Sequence, residues 1–376
     1  MNFESLPKVL YNEVDTAAVE KRAVGIYENE MNTTLFPGDP VRILLNVFIN
    51  FSAQHNAISN YTNKMNLLRY AKGPFLDALA EFLQVYRLEE FPAKTMLKFS
   101  MDAPRAVPTV IPIGVRATAD GRIFFATDKL LVIAAGETQG EIAATCLSYG
   151  IVGNGLIEGQ INRIVDRVAF ITAVENTKQT EGGSDIESDE DLLARVMLAP
   201  HSFSTAGPEL AYIFWALSAH GNVGGASVIS PLPGYVNIFV MLKGGHIPEL
   251  GGPELEAVKN ALNEKERRPL TDFVTVYPIN HEPIDYTVTW FITSEQAVFF
   301  NEVSERIDAA IKEYEEWQTA KTGRDIVPDK LVQLCRAAGA KRIVLNGLYF
   351  TILDPSSIAN FIDNPNRIIF GGVESE

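Results

Sequence analysis

The sequence predicts an α+β protein of several domains, with an N-terminal helical bundle segment, a central β-rich domain, and C-terminal α+β domains with mainly antiparallel sheets. The chain has 376 residues, which is enough for two or three domains that each bury a core. Apolar residues recur at helical spacing in the first quarter, alternate in the second quarter, and follow both patterns afterwards. These changes place the expected domains at residues 1–90, 91–181, 182–283 and 284–376.

The first region contains a predicted helix over 13–31 and a longer one with a narrow apolar stripe. Asp39 is expected at the N-cap of the long helix and Pro40 at its first position, where proline costs no hydrogen bond. The helix is expected to reach Arg69, with a stripe made of Leu44, Phe48, Phe51, Ile58, Met65 and Leu68. A narrow stripe on a long helix is typical of a coiled coil or helix bundle. We therefore expect these six residues to contact partner helices.

The second region is predicted to be a small β domain. Alternating residues indicate strands at 95–99, 121–127 and 130–133. An Asp-Gly pair at 120–121 precedes the second of these runs, and this dipeptide favours a hairpin turn. Closely spaced short strands and turns of this kind are typical of all-β domains.

The third region is predicted to mix helices with strands. Ser188 is expected to cap a helix, with Asp191 three residues later in the position of a capping box. Two further strands are separated by a Pro-Gly pair at 233–234, which fits the middle of a type II turn. A helix over about 253–266 and a strand over 271–277 follow. This order favours an antiparallel sheet with helices on one face.

The last region repeats a similar mixture of elements without a repeated sequence. It begins with an alternating strand over 284–292. Helices are predicted over about 299–318 and 328–338. Three final strands are expected at 341–346, 348–353 and 366–370.

The composition argues against several classes of partner. The chain has 32 Lys and Arg against 47 Asp and Glu, a net charge of −15, whereas nucleic acids and anionic membranes attract positive charge. No apolar stretch reaches the roughly 20 residues of a membrane helix, and the first residues lack the pattern of a signal peptide. Cys146 and Cys335 form no disulfide or metal motif. We expect synthesis in a reducing cytoplasm, with neither nucleic-acid binding nor membrane insertion.

An acidic run over residues 181–191 has two interpretations. A calcium loop of the EF-hand type that starts at Asp185 would need glycine at its sixth position and glutamate at its twelfth. Glu190 and Val196 occupy those positions. The other interpretation is a helix N-terminus, where carboxylates interact favourably with the helix dipole. The pattern favours the helix N-terminus over a metal site.

No other motif assembles a catalytic, cofactor or metal site. Glycines at 150, 153 and 155 suggest a nucleotide-binding loop, but no helix is predicted after them, so turns are favoured. None of the histidines has metal-ligand spacing, and these are His55, His201, His220, His246 and His281. The sequence contains neither a GxSxG nucleophile motif nor a Walker loop. We expect no catalytic activity and no cofactor.

Six short motifs occur in series between residues 112 and 242. They are Pro112–Arg116 with Asp120–Thr127, Ile133–Thr138, Gly153–Ile161, Gly182–Glu190, Ala206–Ala216 and Pro231–Val236. Each motif is weak alone, but in this order they resemble the baseplate J family of phage tails. The motifs cover about a third of the chain, and the region beyond residue 284 shows the least resemblance.

The resemblance implies a structural role in a contractile tail. Proteins of this family form wedges around the central hub and spike of a baseplate. Two copies pair with one smaller wedge protein through N-terminal helices, and C-terminal domains join neighbouring wedges into a sixfold ring. The ring contacts hub and sheath-proximal proteins and relays the contraction trigger to the sheath. The resemblance implies a location in the tail baseplate of a virion or tailocin, after assembly in the bacterial cytoplasm, and implies no catalytic residue.

Two other functions are weighed against this one. A tail-associated cell-wall hydrolase would clear peptidoglycan in zymography. A receptor-binding or fibre module would adsorb to host cells on its own and would usually be trimeric. The sequence leaves open whether the tail belongs to a phage, a tailocin or another injection system.

Overall fold

The computed structural model describes residues 7–12, 15–204, 206–264, 267–269 and 271–375. It confirms the predicted α+β fold class with several domains. The chain divides into two compact units, and each is described separately below. The first unit is Met1–Arg87 with Ser188–Val196, and the second is Leu88–Glu187 with Met197–Glu376.

The first unit begins with three helices, α1 (Thr16–Met31), α2 (Pro40–Lys64) and α3 (Pro74–Glu81). The side chain of Asp15 caps α1 by accepting hydrogen bonds from the backbone of its first turn. Asp39 and Pro40 take the predicted N-cap and first positions of α2. The Asp39 carboxylate points backwards, however, and accepts from the Phe36 N–H at 2.7 Å. Residues 13 and 14 of the first predicted helix lie outside the described residues.

Helix α2 is shorter than the sequence predicts. It ends at Lys64 instead of reaching Arg69. Its C-cap, Met65, is buried, and the next residues form turns closed by i→i+3 hydrogen bonds from Asn66 and Leu67. Such bonds tighten the end of a helix and stop it from continuing. Apolar spacing continues through these turns, which explains the longer prediction.

A fourth helix, α4 (Asp189–Ser202), starts in the first unit at the acidic run. The Ser188 hydroxyl accepts from the Asp191 N–H at 3.1 Å, which confirms the predicted cap. Asp189 accepts from the Gly73 N–H at 3.0 Å and from the Arg87 guanidinium at 2.7 Å. The acidic start of α4 therefore also ties down both ends of the segment that carries α3.

The second unit opens with a barrel-like β domain. Its strands are β1 (Pro92–Ser100), β2 (Thr109–Ile111), β3 (Arg116–Thr118), β4 (Phe124–Thr127), β5 (Leu131–Ile133), β6 (Gln139–Tyr149), β7 (Arg163–Ile164) and β8 (Ala173–Asn176). Six of them form an antiparallel sheet in the order β7-β3-β4-β6-β1-β8, and β2 pairs with β5. The edge strands β7 and β8 contact each other, so the sheet nearly closes. Leu97, Phe99 and Phe125 are fully buried in its core.

The predicted hairpin of the β domain is confirmed between β3 and β4. Asp120 accepts hydrogen bonds from the N–H groups of Arg122 and Ile123, and Gly121 adopts a φ of 82°. A positive φ is easily reached by glycine and costs other residues strain. The second strand starts at Phe124 instead of residue 121, because the turn takes up more of the chain.

The next part of the second unit contains α5 (Glu209–Leu217), β9 (Val223–Leu232), β10 (Tyr235–Leu242), α6 (Pro253–Leu262) and β11 (Phe273–Pro278). Gly234 has a φ of 83°, as the predicted turn between β9 and β10 requires. The sheet order is β11-β10-β9, with β9 antiparallel and β11 parallel to β10. The expectation of an antiparallel third strand was wrong, because α6 crosses over and returns the chain to the same end of the sheet. Residues 265 and 266 of the helix predicted here lie outside the described residues.

The last part comprises β12 (Asn280–Ile284), β13 (Thr287–Thr293), α7 (Phe300–Thr319), α8 (Pro328–Ala337), β14 (Arg342–Asn346), β15 (Ser357–Phe361) and β16 (Ile368–Glu374). Strand β13 is antiparallel to β14 and parallel to β16, and β12 is parallel to β15. The core packs Trp290 and Tyr286 with Tyr314 of α7 and with buried residues of α8. The predicted strand at 348–353 was wrong, because Tyr349 and Phe350 point outwards and only Thr351 forms an isolated bridge.

Candidate functional site

One side of helix α2 is buried by other residues of the first unit, and we call it the inner side. Ile49 is buried there, and α1 packs against α2. Asn60 lies on the same side and is 5% exposed. Its side-chain oxygen accepts from the N–H groups of Tyr11 and Asn12 at 2.9 and 2.8 Å, and its amide donates back to the Asn12 carbonyl at 2.8 Å. The inner side of α2 is thus completed by residues of the same unit.

The opposite side of α2 is apolar and exposed, and we call it the outer face. It consists of Ile43, Leu44, Val47, Phe48, Phe51, Ile58 and Tyr61. Their exposed fractions range from 46% to 65%. Phe51 is two positions beyond buried Ile49, which is about 200° around a helix of 3.6 residues per turn. A helix that is apolar on both sides is typical of a buried helix, so the outer face is suited to a partner.

The structure separates the six residues predicted to form a partner interface. Leu44, Phe48, Phe51 and Ile58 lie on the outer face. Met65 is 6% exposed at the C-cap, and Leu68 is half-buried in the turns that follow. Ile43, Val47 and Tyr61 were not predicted and form a second row beside the stripe. The available signal was their spacing, since Val47 lies four residues after Ile43 and four before Phe51, and Tyr61 lies three after Ile58.

Burial of the outer face would contribute substantially to an assembly. Each large apolar side chain that moves out of water contributes roughly 1.5–3 kcal/mol. Contiguous exposed apolar patches are uncommon on monomeric proteins and usually mark interaction surfaces. His55 lies exposed between Phe51 and Ile58, and Thr62 lies exposed one turn after Ile58, so both are polar residues in this row. A single polar residue in an apolar seam can fix the register of paired helices.

The second unit contains a cavity of about 380 Å³ with several polar and charged residues in its lining. One wall comes from the end of the β domain, including Asn154 and Glu181, and the other from the β9–α6 region, including Asn222 and Glu254. Asn222 donates to the Glu254 carboxylate and to the Gly183 carbonyl, both at 3.1 Å. Burial, with the nearby charges of Glu249 and Glu254, raises the pKa of Glu181 to about 7.

The glycine run at 150–155 forms turns and not a nucleotide-binding loop. Gly150 and Gly155 have φ values of 84°, and a short 3-10 helix, Ile151–Gly153, lies between them. An added Cβ on Gly153 would lie 2.9 Å from the Cys146 sulfur. Gly183 is packed even more closely, with the Gly150 carbonyl oxygen only 2.5 Å from where its Cβ would be. The turns at Gly150 and Gly155 are those that the sequence predicts, and the close packing at Gly153 and Gly183 is an additional role.

In the described part of the chain, the acidic run and the two cysteines lie in structural surroundings. Asp185 of the acidic run accepts from the Ile151 N–H at 3.0 Å and so contributes to packing. Across the described ranges, no three His, Cys, Asp or Glu side chains are placed to hold a metal ion. Burial raises the pKa of the Cys146 thiol and raises that of Cys335 to about 11, so both thiols stay protonated at neutral pH. None of the described helices is both long and apolar enough to cross a membrane.

Two regions of the second unit match known family models. Residues 96–183 match the Baseplate J-like protein barrel domain, and residues 204–278 match the Baseplate J-like central domain. These two stretches of the chain are thus similar to two domains of the baseplate J-like family. The resemblance noted in the sequence is therefore confirmed, since its motifs fall largely within these two regions.

Two phage proteins are similar to this chain over part of their length. Baseplate protein J of Escherichia phage P2 is 32% identical over 191 residues, which is 50% of this chain and 60% of the relative. Baseplate protein gp47 of Escherichia phage Mu is 31% identical over 114 residues, which is 30% of this chain and 31% of the relative. The chain thus spans less than two thirds of the length of either relative.

The six-fold symmetrised cryo-EM structure of the anti-feeding prophage baseplate contains a chain with a distant likeness. The match covers 93% of this chain and 90% of that chain, with 12% sequence identity and a TM-score of 0.44. A likeness of this size does not by itself establish a shared fold.

Proposed function

We propose that this protein is a non-enzymatic structural component of a contractile, phage-type tail baseplate. The observation that carries the proposal is the pair of consecutive baseplate J-like domains at 96–183 and 204–278. The two similar phage proteins are named as baseplate proteins, which supports the same role. On this proposal the protein is located in the tail baseplate of a virion or tailocin and is assembled in the bacterial cytoplasm.

The proposal extends to a division of labour along the chain. Residues 1–90 form a helical assembly region, 91–181 a β-rich domain, 182–283 an α+β domain, and 284–376 a C-terminal α+β domain. The first region binds a second copy and a smaller wedge protein through its helices. The last region joins neighbouring wedges into a sixfold ring around the hub and spike, and the ring relays the contraction trigger to the sheath.

The exposed outer face of α2 supports the assembly role of the first region. Seven large apolar side chains there have no partner within their own unit that covers them. The described residues of the chain therefore present an apolar helix surface at the place where the proposal requires helix pairing. Leu44, Phe48, Phe51 and Ile58 of the predicted interface are part of this surface. The exposed face supports Phe48 and Phe51 as central contact residues.

The test is a double substitution, Phe48→Asp with Phe51→Asp, in the chain co-expressed with its neighbouring tail genes. Two buried carboxylates in an apolar helix interface are strongly unfavourable, so wedges should be lost from electron micrographs. The control is Asn50→Asp with Ala57→Asp, which adds the same charge at exposed positions on the flank of α2. The control should still form wedges. Normal wedges from the Phe48/Phe51 variant would contradict the assignment of the interface.

The same preparation separates this proposal from the two rival functions. A cell-wall hydrolase would clear peptidoglycan in zymography with the purified chain. A receptor-binding or fibre module would adsorb to host cells and would be trimeric in light scattering. A chain that does none of these, but enters a wedge or ring with other tail proteins, supports the structural role.

A further inference from the structure

The barrel and the central domain meet at a contact that is built from buried polar groups, and we call this contact the joint. On the barrel side it consists of residues 181–184, and on the central-domain side of residues 220–222 and 249–254. Backbone hydrogen bonds at 2.7 and 3.1 Å pair Glu181 with Lys94 on β1, so the barrel side is held in place. The joint therefore brings together two surfaces that are each fixed by their own sheet or helix.

The backbone of the joint is packed too tightly for any larger residue. Gly182 lies against Pro253 at the start of α6, with 3.0 Å between the ring and the position of an added Cβ. Gly221 lies against Ser184, and an added Cβ there would be 2.8 Å from the serine hydroxyl. Within the barrel side, Asn154 fixes Gly183 by donating to its carbonyl at 2.7 Å and accepting from its N–H at 2.8 Å. Asn222 of the central-domain side donates to the same carbonyl at 3.1 Å, so a bond also crosses the joint.

Three carboxyl groups come together where the joint borders the cavity. Glu181 comes from the barrel side, Glu249 from the loop before α6, and Glu254 from the first turn of α6. The Glu181 and Glu249 side chains are within hydrogen-bonding reach of each other, and Glu254 is 2% exposed. Two ionised carboxylates have no hydrogen to donate, so a bond between them requires a shared proton. The N-terminus of α6 favours negative charge, but three carboxylates together exceed what one helix end stabilises.

Other charged groups around Glu181 do not cancel this repulsion. Lys178 on the barrel side attracts its negative charge, and Lys94 acts on the neighbouring His220. Lys243 and His246 line the cavity, but both side chains are exposed to solvent. Burial lowers the pKa of His220, which stacks on Phe91 at 5.0 Å between ring centroids. A neutral imidazole at neutral pH therefore adds no positive charge to the joint.

We propose that the joint is a proton-controlled contact: a proton on Glu181, which faces Glu249 and the buried Glu254, holds the barrel against the central domain, and its loss loosens them. This inference does not depend on partner binding at the outer face of α2. The pKa of Glu181 is raised from 4.5 to about 7 in the folded chain. Between these two values the closed joint binds more protons than the opened one, so closure weakens as the pH rises through that range.

His220 sets the lower limit of the pH range in which the joint is closed. Its pKa lies below the usual 6.5 because the ring is buried. Protonation at lower pH would place a positive charge in a buried stack, so closure also weakens as the pH falls through that lowered pKa. The joint is therefore expected to be tightest at mildly acidic pH, between the two transitions.

The experiment is hydrogen exchange of the full chain at pH 5.5 and pH 8.0, with rates corrected for the intrinsic effect of pH. Protection of the amides of residues 181–184 should fall on the order of tenfold at the higher pH, since one pKa unit corresponds to a factor of ten. The shift of Glu181 is larger than one unit, but its side chain is half-exposed and solvent screens part of the effect. In Glu181→Gln the protection should no longer fall at pH 8.0, because the remaining effect of His220 strengthens closure as the pH rises.

Two further variants make the test specific. Glu249→Gln changes an exposed side chain, so it should fold normally while reducing the pH dependence. Glu256→Gln, at an exposed position on the same helix, removes an equal charge away from the joint and should behave as the unchanged chain. The proposal is overturned if the unchanged chain shows no pH-dependent protection at the joint. It is also overturned if Glu181→Gln and Glu249→Gln retain the full dependence.

Discussion

The outer face of α2 exposes apolar side chains to water, whereas the joint buries polar ones. On the outer face, large apolar groups such as Phe48 and Phe51 are exposed to water. At the joint, polar and ionisable groups such as Glu254 and His220 are buried and hydrogen-bonded. Exposed apolar groups favour burial by another chain, whereas buried polar groups hold a contact only while their own partners stay in place. The outer face is therefore suited to contact with another chain, and the joint to a contact that can be released.

The largest expected difference is between apolar residues of the barrel core and of the outer face. Phe99→Ala removes a fully buried ring and should lower the free energy of unfolding by roughly 3–5 kcal/mol. Phe48→Ala changes a ring that is 62% exposed and should alter the free energy of unfolding by no more than about 0.5 kcal/mol. Urea denaturation of the isolated chain measures both. A large loss with Phe48→Ala would show that the outer face is already buried.

The joint should respond most strongly to the loss of a buried hydrogen-bond donor. Asn222→Ala leaves the buried Glu254 carboxylate and the Gly183 carbonyl without their Asn222 amide donor, at a cost of roughly 1–3 kcal/mol. The matched control is Asn263→Ala, which removes a bond from a side chain to the Lys259 carbonyl at the end of α6. The two variants are compared by urea denaturation at pH 6. Equal effects would mean that the joint is no stronger than an ordinary surface contact.

Loss of a helix cap should lower stability by an amount between the effects expected for the joint and for an exposed ion pair. Ser188→Ala removes the hydroxyl that accepts from the Asp191 N–H and should cost about 1 kcal/mol. Ser188→Asn keeps a side-chain acceptor and should recover most of the loss. Thermal unfolding followed by circular dichroism measures the two variants side by side. No difference between them would mean that the cap does not stabilise α4.

The smallest effect is expected for an exposed ion pair on the barrel. The Arg116 guanidinium bonds the Asp166 carboxylate at 2.8 and 2.9 Å and lowers the pKa of that carboxyl from 3.8 to about 2. Its contribution is present above pH 3.8 and lost as the pH falls through about 2. Asp166→Asn should therefore cost less than about 1 kcal/mol at pH 7, and less still in 1 M salt. An effect unchanged by salt would contradict a screened surface pair.

The sequence predicted the features that depend on neighbouring residues. Ser188 with Asp191, and the turns at Asp120 and Gly234, follow from side chains and backbone angles within a few positions. The stripe of α2 was also predictable, because apolar spacing directly shows the face of a helix. The assignment of that stripe to a partner interface stays a prediction.

The features that were missed depend on residues far apart in the chain. Strand β15 is defined by its pairing with β12 about 77 residues earlier, and no local pattern indicates it. The parallel direction of β11 follows from the path of α6 across the sheet. The carboxyl groups of the joint come from positions 181, 249 and 254, so only folding shows that they lie near one another.

The Asn60 contacts have a practical consequence for anyone who trims or tags this protein. The amide and carbonyl groups of residues 11 and 12 complete the hydrogen bonds of this buried side chain. A recombinant version that starts at residue 15 would leave the Asn60 amide without those partners, at a cost of roughly 1–3 kcal/mol. Residues 11 and 12 thus help to hold α2 in place, and affinity tags are better attached at the C-terminal end of the chain.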